Sequence, residues 1–149
     1  MDDNSLGNSV AASMTALIRA IEYLHDTGFV SRTSGSNLER SLHPVVMAVA
    51  ERGEASVGQV AADLGIRSPT ASHHVRVLMD RGLVERVDGV TDQRRTVVRL
   101  TATGRQTRAS LLEVWGRAVM EVMAAWPRPE AEDFARRFAS FAAALREVD

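Results

Sequence analysis

The 149-residue chain contains no cysteine, which excludes disulfide bonds, thiolate metal ligands and thiol-based redox sensing together. Lysine is absent as well: all 18 basic residues are arginine, a bias to which little functional weight is given. No apolar run approaches the roughly 18 residues that a membrane span requires. The opening MDDNSLGNSV lacks the basic-then-apolar order of a secretory signal, so the chain is expected to be cytoplasmic, with no membrane partner. Nucleophile motifs and glycine-rich phosphate loops are missing, and the carboxylates are scattered as a solvated surface requires; no enzymatic activity is expected. Of the four histidines, His25 and His43 lie far in sequence from His73 and His74. Three or four ligands at workable spacing are not in view, and neither a metal nor another cofactor is expected.

What is present suits one ordinary globular domain, residues 1–149, with 45% apolar and 25% charged residues. The net charge of -1 conceals a segregation. Between Gly65 and Arg108 nine arginines stand against Asp80, Glu85, Asp88 and Asp92, a surplus of five, so the rest of the chain carries -6. A local basic field can attract a polyanion while the whole molecule stays near neutrality.

Periodicity divides the chain into helices around a short extended segment. Val10, Met14, Leu17, Ile18, Ile21 and Leu24 recur at helical spacing and predict a first helix from about Gly7 to Asp26, with Gly28 marking its end. After the polar TGFVSRTSGSN, the stripe Leu38, Leu42, Val45, Val46 and Val49 predicts a second helix. Pro44 leaves two arrangements open: a kink, or a start near His43 with proline in the first turn. SVGQ from Ser56 reads as a capping box, and Gly65 as a left-handed stop. Only GIR then precedes Ser68, a second expected N-cap, with Pro69 at the first helical position. Two helices joined so closely form a helix-turn-helix. LVERV and RTVVRLT read as the two strands of an antiparallel hairpin around DGVTDQR. Thr101 or Thr103 caps a long helix that the proline pair of PRP stops, and Phe134, Phe138, Phe141, Leu145 and Val148 form a coiled-coil-like stripe in the last one.

The helix from Ser68 to Asp80 holds the candidate chemistry. At about 100° per residue, Ala71, Val75, Leu78 and Met79 face the core, while Pro69, His73 and Arg76 lie opposite, with Thr70 and Ser72 at the edges. His74 falls beside the apolar face and is expected to be half-buried and satisfied by a backbone group. His73 projects from a helix N-terminus with short side chains, suited to phosphate and to the edges of bases in a major groove. The candidate DNA-contacting residues are therefore Ser68, Pro69, Thr70, Ser72, His73 and Arg76, joined at the hairpin tip by Asp92, Arg94 and Arg95. An arginine there can enter a minor groove while an aspartate orients its guanidinium.

The run ASVGQVAADLGIRSPTASHHVRVLMDRGLVER, followed by DQRRTVVRLTATGR, resembles the winged helix-turn-helix of MarR-type bacterial transcription regulators over residues 55–105. Asp92, Arg94, Leu100, Thr101 and Gly104 stand where that family carries D-x-R and L-T-x-x-G. The resemblance implies a mainly α fold with a small β-hairpin wing (α+β): a DNA-binding region over 38–101 flanked by dimerisation helices at 5–30 and 102–149. It also implies a homodimer on a pseudo-palindromic site in double-stranded DNA, expected to act as a repressor released by a small aromatic or anionic effector. Tyr23, His25, Phe29, His43, Met47 and Trp115 are the candidate effector-contacting residues. SHHVRVL is closer to the ArsR-type pattern, so a metal-responsive ArsR-type repressor remains an alternative, as does a winged helix used only for protein contacts.

Overall fold

Asp2 opens the first helix by accepting a hydrogen bond from the Ser5 backbone N–H at 2.7 Å, the stabilisation expected of an acidic N-cap. That cap explains why α1 spans Asp3–Asp26 instead of starting near Gly7. The structure is a computed structural model in which residues 2–29, 37–87 and 96–148 are described. The chain falls into two compact units, Met1–Val114 and Trp115–Asp149.

In the first unit a 3-10 turn, Arg40–Leu42, leads into α2, His43–Arg52, which carries Pro44 in its first turn. Of the two arrangements open to Pro44, the chain takes the one that forfeits no helical hydrogen bond. Then follow β1 (Glu54–Ser56), α3 (Val57–Leu64), α4 (Ser68–Asp80), β2 (Val84–Arg86), β3 (Val97–Leu100) and the start of α5 (Ala102–Val122). The strands form one antiparallel sheet in the order β1-β3-β2, with Ala55 opposite Val98 and Val84 opposite Leu100. The hairpin of β2 and β3 was expected; β1 was not, because three residues are too few to display alternation.

The core of this unit follows the helical stripe. Leu38, Leu42, Val45, Val46 and Val49 are all buried, together with Val60 and Ala61 of α3, Ala71, Val75 and Leu78 of α4, Val84, Val98 and Leu100 of the sheet, and Leu111 and Val114 of α5. Each buried Leu or Val contributes about 1.5–3 kcal/mol, so packing, not propensity, fixes the short helices here. Met79, expected in the core, is instead 37% exposed.

The segment LTATG joins the sheet to α5 through a close approach. Thr101 Oγ1 donates to the Gly82 carbonyl (2.6 Å) and accepts from the Gly104 N–H (3.0 Å), while the Thr101 N–H donates to the Leu83 carbonyl (3.1 Å). Thr101, not Thr103, is thus the residue that caps α5. A Cβ on Gly104 would lie 1.9 Å from the Leu83 carbonyl oxygen, so only glycine fits.

Two apolar faces stay uncovered. Within the first unit α1 buries no residue, and Val10, Leu17, Ile18 and Ile21 are exposed. In the second unit α6 (Arg128–Leu145) likewise buries none; Trp126 meets Phe134 edge-on at 5.4 Å, Phe134 stacks on Phe138 at 5.5 Å, and Phe138, Phe141 and Leu145 face outward. Among the described residues no helix is long and apolar enough to cross a membrane.

Candidate nucleic-acid interface

The turn between α3 and α4 is built by its caps. The Gln59 N–H donates to Ser56 Oγ (3.2 Å) and the Ser56 N–H to Gln59 Oε1 (2.8 Å), closing the reciprocal box. Gly65 ends α3 at φ 60°, in the left-handed region. Arg67 then takes the cap position of α4 in extended conformation, and Ser68 is its first helical residue. The expectation that Ser68 would be the cap is off by one residue, because the Ala71 N–H bonds to the Arg67 carbonyl (3.0 Å) and opens the helix there. Pro69 still falls in the first turn.

Packing presents one face of α4 outward. Ala71, Val75 and Leu78 are buried, whereas Ser68, Pro69, Thr70, Ser72, His73 and Arg76 are all exposed. Two ion pairs hold the surroundings: Arg52 grips Asp63 through Nε (2.5 Å) and Nη2 (2.6 Å), tying α2 to α3. Arg81, just after α4, donates to Glu39 Oε1 (2.5 Å) and to the Asn37 carbonyl (3.1 Å). The bidentate geometry at Asp63 makes it the firmer of the two.

Within that face Arg76 Nη2 donates to His73 Nδ1 at 3.2 Å. The bond requires Nδ1 unprotonated, which puts the proton of the neutral ring on Nε2. The two side chains together form a donor surface, complementary to the N7 and O6 acceptors of guanine in a major groove. His74 is half-buried as expected, yet its Nδ1 is shut off from solvent with no hydrogen-bond partner among the described residues. The backbone partner expected for the ring is not supplied at that nitrogen.

The hairpin-tip candidates Asp92, Arg94 and Arg95 lie outside the described residues. At the base of the hairpin Arg86 is exposed and donates to Thr96 Oγ1 (3.0 Å), and Arg99 donates to Glu85 Oε1 across the strands (2.8 Å). Arg67 and Arg86 were overlooked as candidates. Their signal was available: one immediately precedes the exposed helix N-terminus, and the other ends a hairpin strand.

The effector candidates come together only in part. The His25 and His43 rings lie 5.5 Å apart. His43 is buried, and its Nε2 bonds to the Leu38 carbonyl at 3.1 Å. Burial holds its pKa below the usual histidine value, with the Leu38 hydrogen bond opposing. His25 is lowered too, first by burial, then by the positive charge of His43 and of Arg40, against the pull of Asp26. Phe29 and Met47 are half-buried and Tyr23 is exposed. Trp115, half-buried, belongs to the second unit. Among the described residues no group of three or more His, Asp or Glu side chains is placed to hold a metal ion.

Comparison with known proteins meets this geometry. A family model described as MarR family matches residues 36–95. An uncharacterized HTH-type transcriptional regulator of Mycobacterium tuberculosis (strain CDC 1551 / Oshkosh) is 39% identical over 75 residues, 49% of this chain and 44% of that protein. A counterpart in Mycobacterium bovis (strain ATCC BAA-935 / AF2122/97) matches to the same extent, so the chain spans less than half the length of these relatives. Among solved structures, MarR of Staphylococcus aureus in complex with salicylate and kanamycin superposes with a TM-score of 0.75 at 15% identity, covering 97% of this chain and 95% of that one. NadR in complex with 4-hydroxyphenylacetate gives 0.70 at 20% identity, covering 91% and 92%. At such identities these likenesses concern the fold. The capped helix-turn-helix, the hairpin and the matched segment agree: over residues 36–95 the chain is similar to the MarR family, and the solved structures share its fold.

Proposed function

We propose that the protein is a homodimeric, sequence-specific regulator of transcription that binds double-stranded DNA in the cytoplasm and acts as a ligand-responsive repressor. The observation that carries this reading is the exposed face of α4. Ser68, Pro69, Thr70 and Ser72 are short enough to allow close approach, and the hydrogen-bonded pair His73–Arg76 supplies donors on a helix anchored by its opposite face. Arg67 and Arg86 add positive charge beside it, and the tip residues Asp92, Arg94 and Arg95 are assigned to the adjacent minor groove. The uncovered apolar faces of α1 and α6 support a two-fold dimer, because large exposed apolar patches on a folded chain mark association surfaces. An effector site using Tyr23, His25, Phe29, His43, Met47 and Trp115 is proposed by analogy with the relatives solved with 4-hydroxyphenylacetate and salicylate. A ligand there releases DNA only if it binds the DNA-free arrangement more tightly.

Selection of duplexes from a random pool by the purified protein tests the reading. An inverted repeat should be enriched, with affinity that falls steeply as salt rises. Enrichment of no sequence, with salt-independent retention, would overturn it.

A further inference from the structure

The adjacent histidines of α4 occupy two environments and touch. The ring of His73 lies against that of His74 at 6.0 Å between centroids, tilted by 52°, within the range of aromatic contact. His74 is half-buried, so its ring is held by the packing of α4, whereas His73 and Arg76 are exposed. His73 in turn offers Nδ1 to Arg76 Nη2 at 3.2 Å. A half-buried ring thus braces an exposed one, and the exposed ring holds a guanidinium.

Other arginines of this unit are held differently. Arg52 pairs with Asp63, Arg81 with Glu39 and Arg99 with Glu85, so that each carboxylate offsets the charge it orients. Among the described residues Arg76 has no carboxylate partner. It is oriented by an uncharged acceptor, and its charge stays available to a ligand. A guanidinium carries five N–H groups in a rigid fork. Whichever Nη2 proton goes to His73, one edge with two parallel N–H groups remains free. In a major groove only guanine presents two neighbouring acceptors, N7 and O6; adenine sets a donor beside N7, cytosine offers a donor, and thymine a single acceptor and a methyl group.

We propose that Arg76 reads a guanine through this free edge and that His73, braced by His74, is the positioning residue that aims it, so that the two side chains specify one base pair together. The proposal rests on the DNA-binding reading and names the base that this part of α4 selects. A guanidinium fixed before contact loses less rotamer freedom on binding, and a wrong base leaves part of its fork unpaired.

The test is fluorescence anisotropy of the full chain on the duplex selected from a random pool, on its single-base-pair variants, and on duplexes carrying 7-deazaguanine, which lacks the N7 acceptor, at one guanine at a time. One guanine in each half-site should lose about fivefold or more in affinity on replacement by adenine. Arg76→Ala and His73→Ala should each abolish that preference at that base pair and at no other, and should bind the guanine and 7-deazaguanine duplexes alike. The double variant His73→Ala/Arg76→Ala should be no less selective there than Arg76→Ala alone, as for residues that act as a unit. His73→Asn, whose Oδ1 can stand where Nδ1 stands, should restore most of the preference; His73→Phe, which keeps a ring against His74 but no acceptor, should not. Loss at different base pairs in the two single variants overturns the proposal and leaves DNA reading by α4 intact. Recovery in His73→Phe, no recovery in His73→Asn, or a preferred base other than guanine at that position does the same. A parent chain that selects no sequence overturns this proposal and the DNA-binding reading together.

Discussion

Replacing Gly104 by alanine probes the join between the three-stranded sheet and α5. The added Cβ would stand 1.9 Å from the Leu83 carbonyl oxygen and 2.9 Å from its carbon. Carbon and oxygen ordinarily approach no closer than about 3.3 Å, so one backbone segment must retreat by about 1.4 Å. No flexible side chain can absorb that shift, because the obstacle is main chain. Overpacking of this kind costs about 1–3 kcal/mol. The retreat also disrupts the Thr101 N–H bond to the same carbonyl, adding about 1 kcal/mol. A loss of about 2–4 kcal/mol should lower the Tm by roughly 5–15 °C in a chain of this size, measured by circular dichroism at fixed protein concentration. Gly7→Ala is the control with opposite sign: nothing lies within 4 Å of its Cβ position in α1, so helix propensity should stabilise by about 0.8–1 kcal/mol. A Gly104→Ala melt within about 2 °C of the parent would refute the close-packing argument.

Thr101→Ala removes the α5 cap and the bond to the Gly82 carbonyl, and should cost about 1–2 kcal/mol in denaturant unfolding, with Thr101→Ser recovering most of it. The lowered pKa values of His25 and His43 make the unfolded chain bind more protons than the folded one below pH 6.5. Stability is therefore full above that pH and falls as pH drops through it; thermal melts between pH 7.5 and 5.5 should show the decline, and His43→Gln should flatten it. Phe138→Glu places a charge in the exposed stripe of α6 and should weaken dimerisation at least about thirtyfold, the effect of a 2 kcal/mol interface residue, as read by sedimentation equilibrium.

Much of the fold was legible because its signals are local. The stripe Leu38, Leu42, Val45, Val46 and Val49 matches the helix period and is wholly buried. Ser56, Gln59 and Gly65 announce α3 by chemistry that needs no tertiary partner. The start of α4 slipped by a residue because serine before proline competes with a cap made by backbone alone. β1 escaped notice because its pairing with β3 is long-range. The exposed face of α4 followed from a helical wheel, but the His73–Arg76 hydrogen bond depends on rotamers.

The proposed reading of base edges by the exposed face of α4 can be measured position by position. The most direct measurement is fluorescence anisotropy of the parent, His73→Ala and Arg76→Ala against a selected duplex and its set of single-base-pair variants. Each substitution should cost about 1–3 kcal/mol on the preferred duplex and erase discrimination at one or two positions in each half-site, leaving the other positions as selective as before. Uniform weakening across all duplexes, or no change at any position, would contradict the claim and leave α4 as a helix that docks on DNA without reading it.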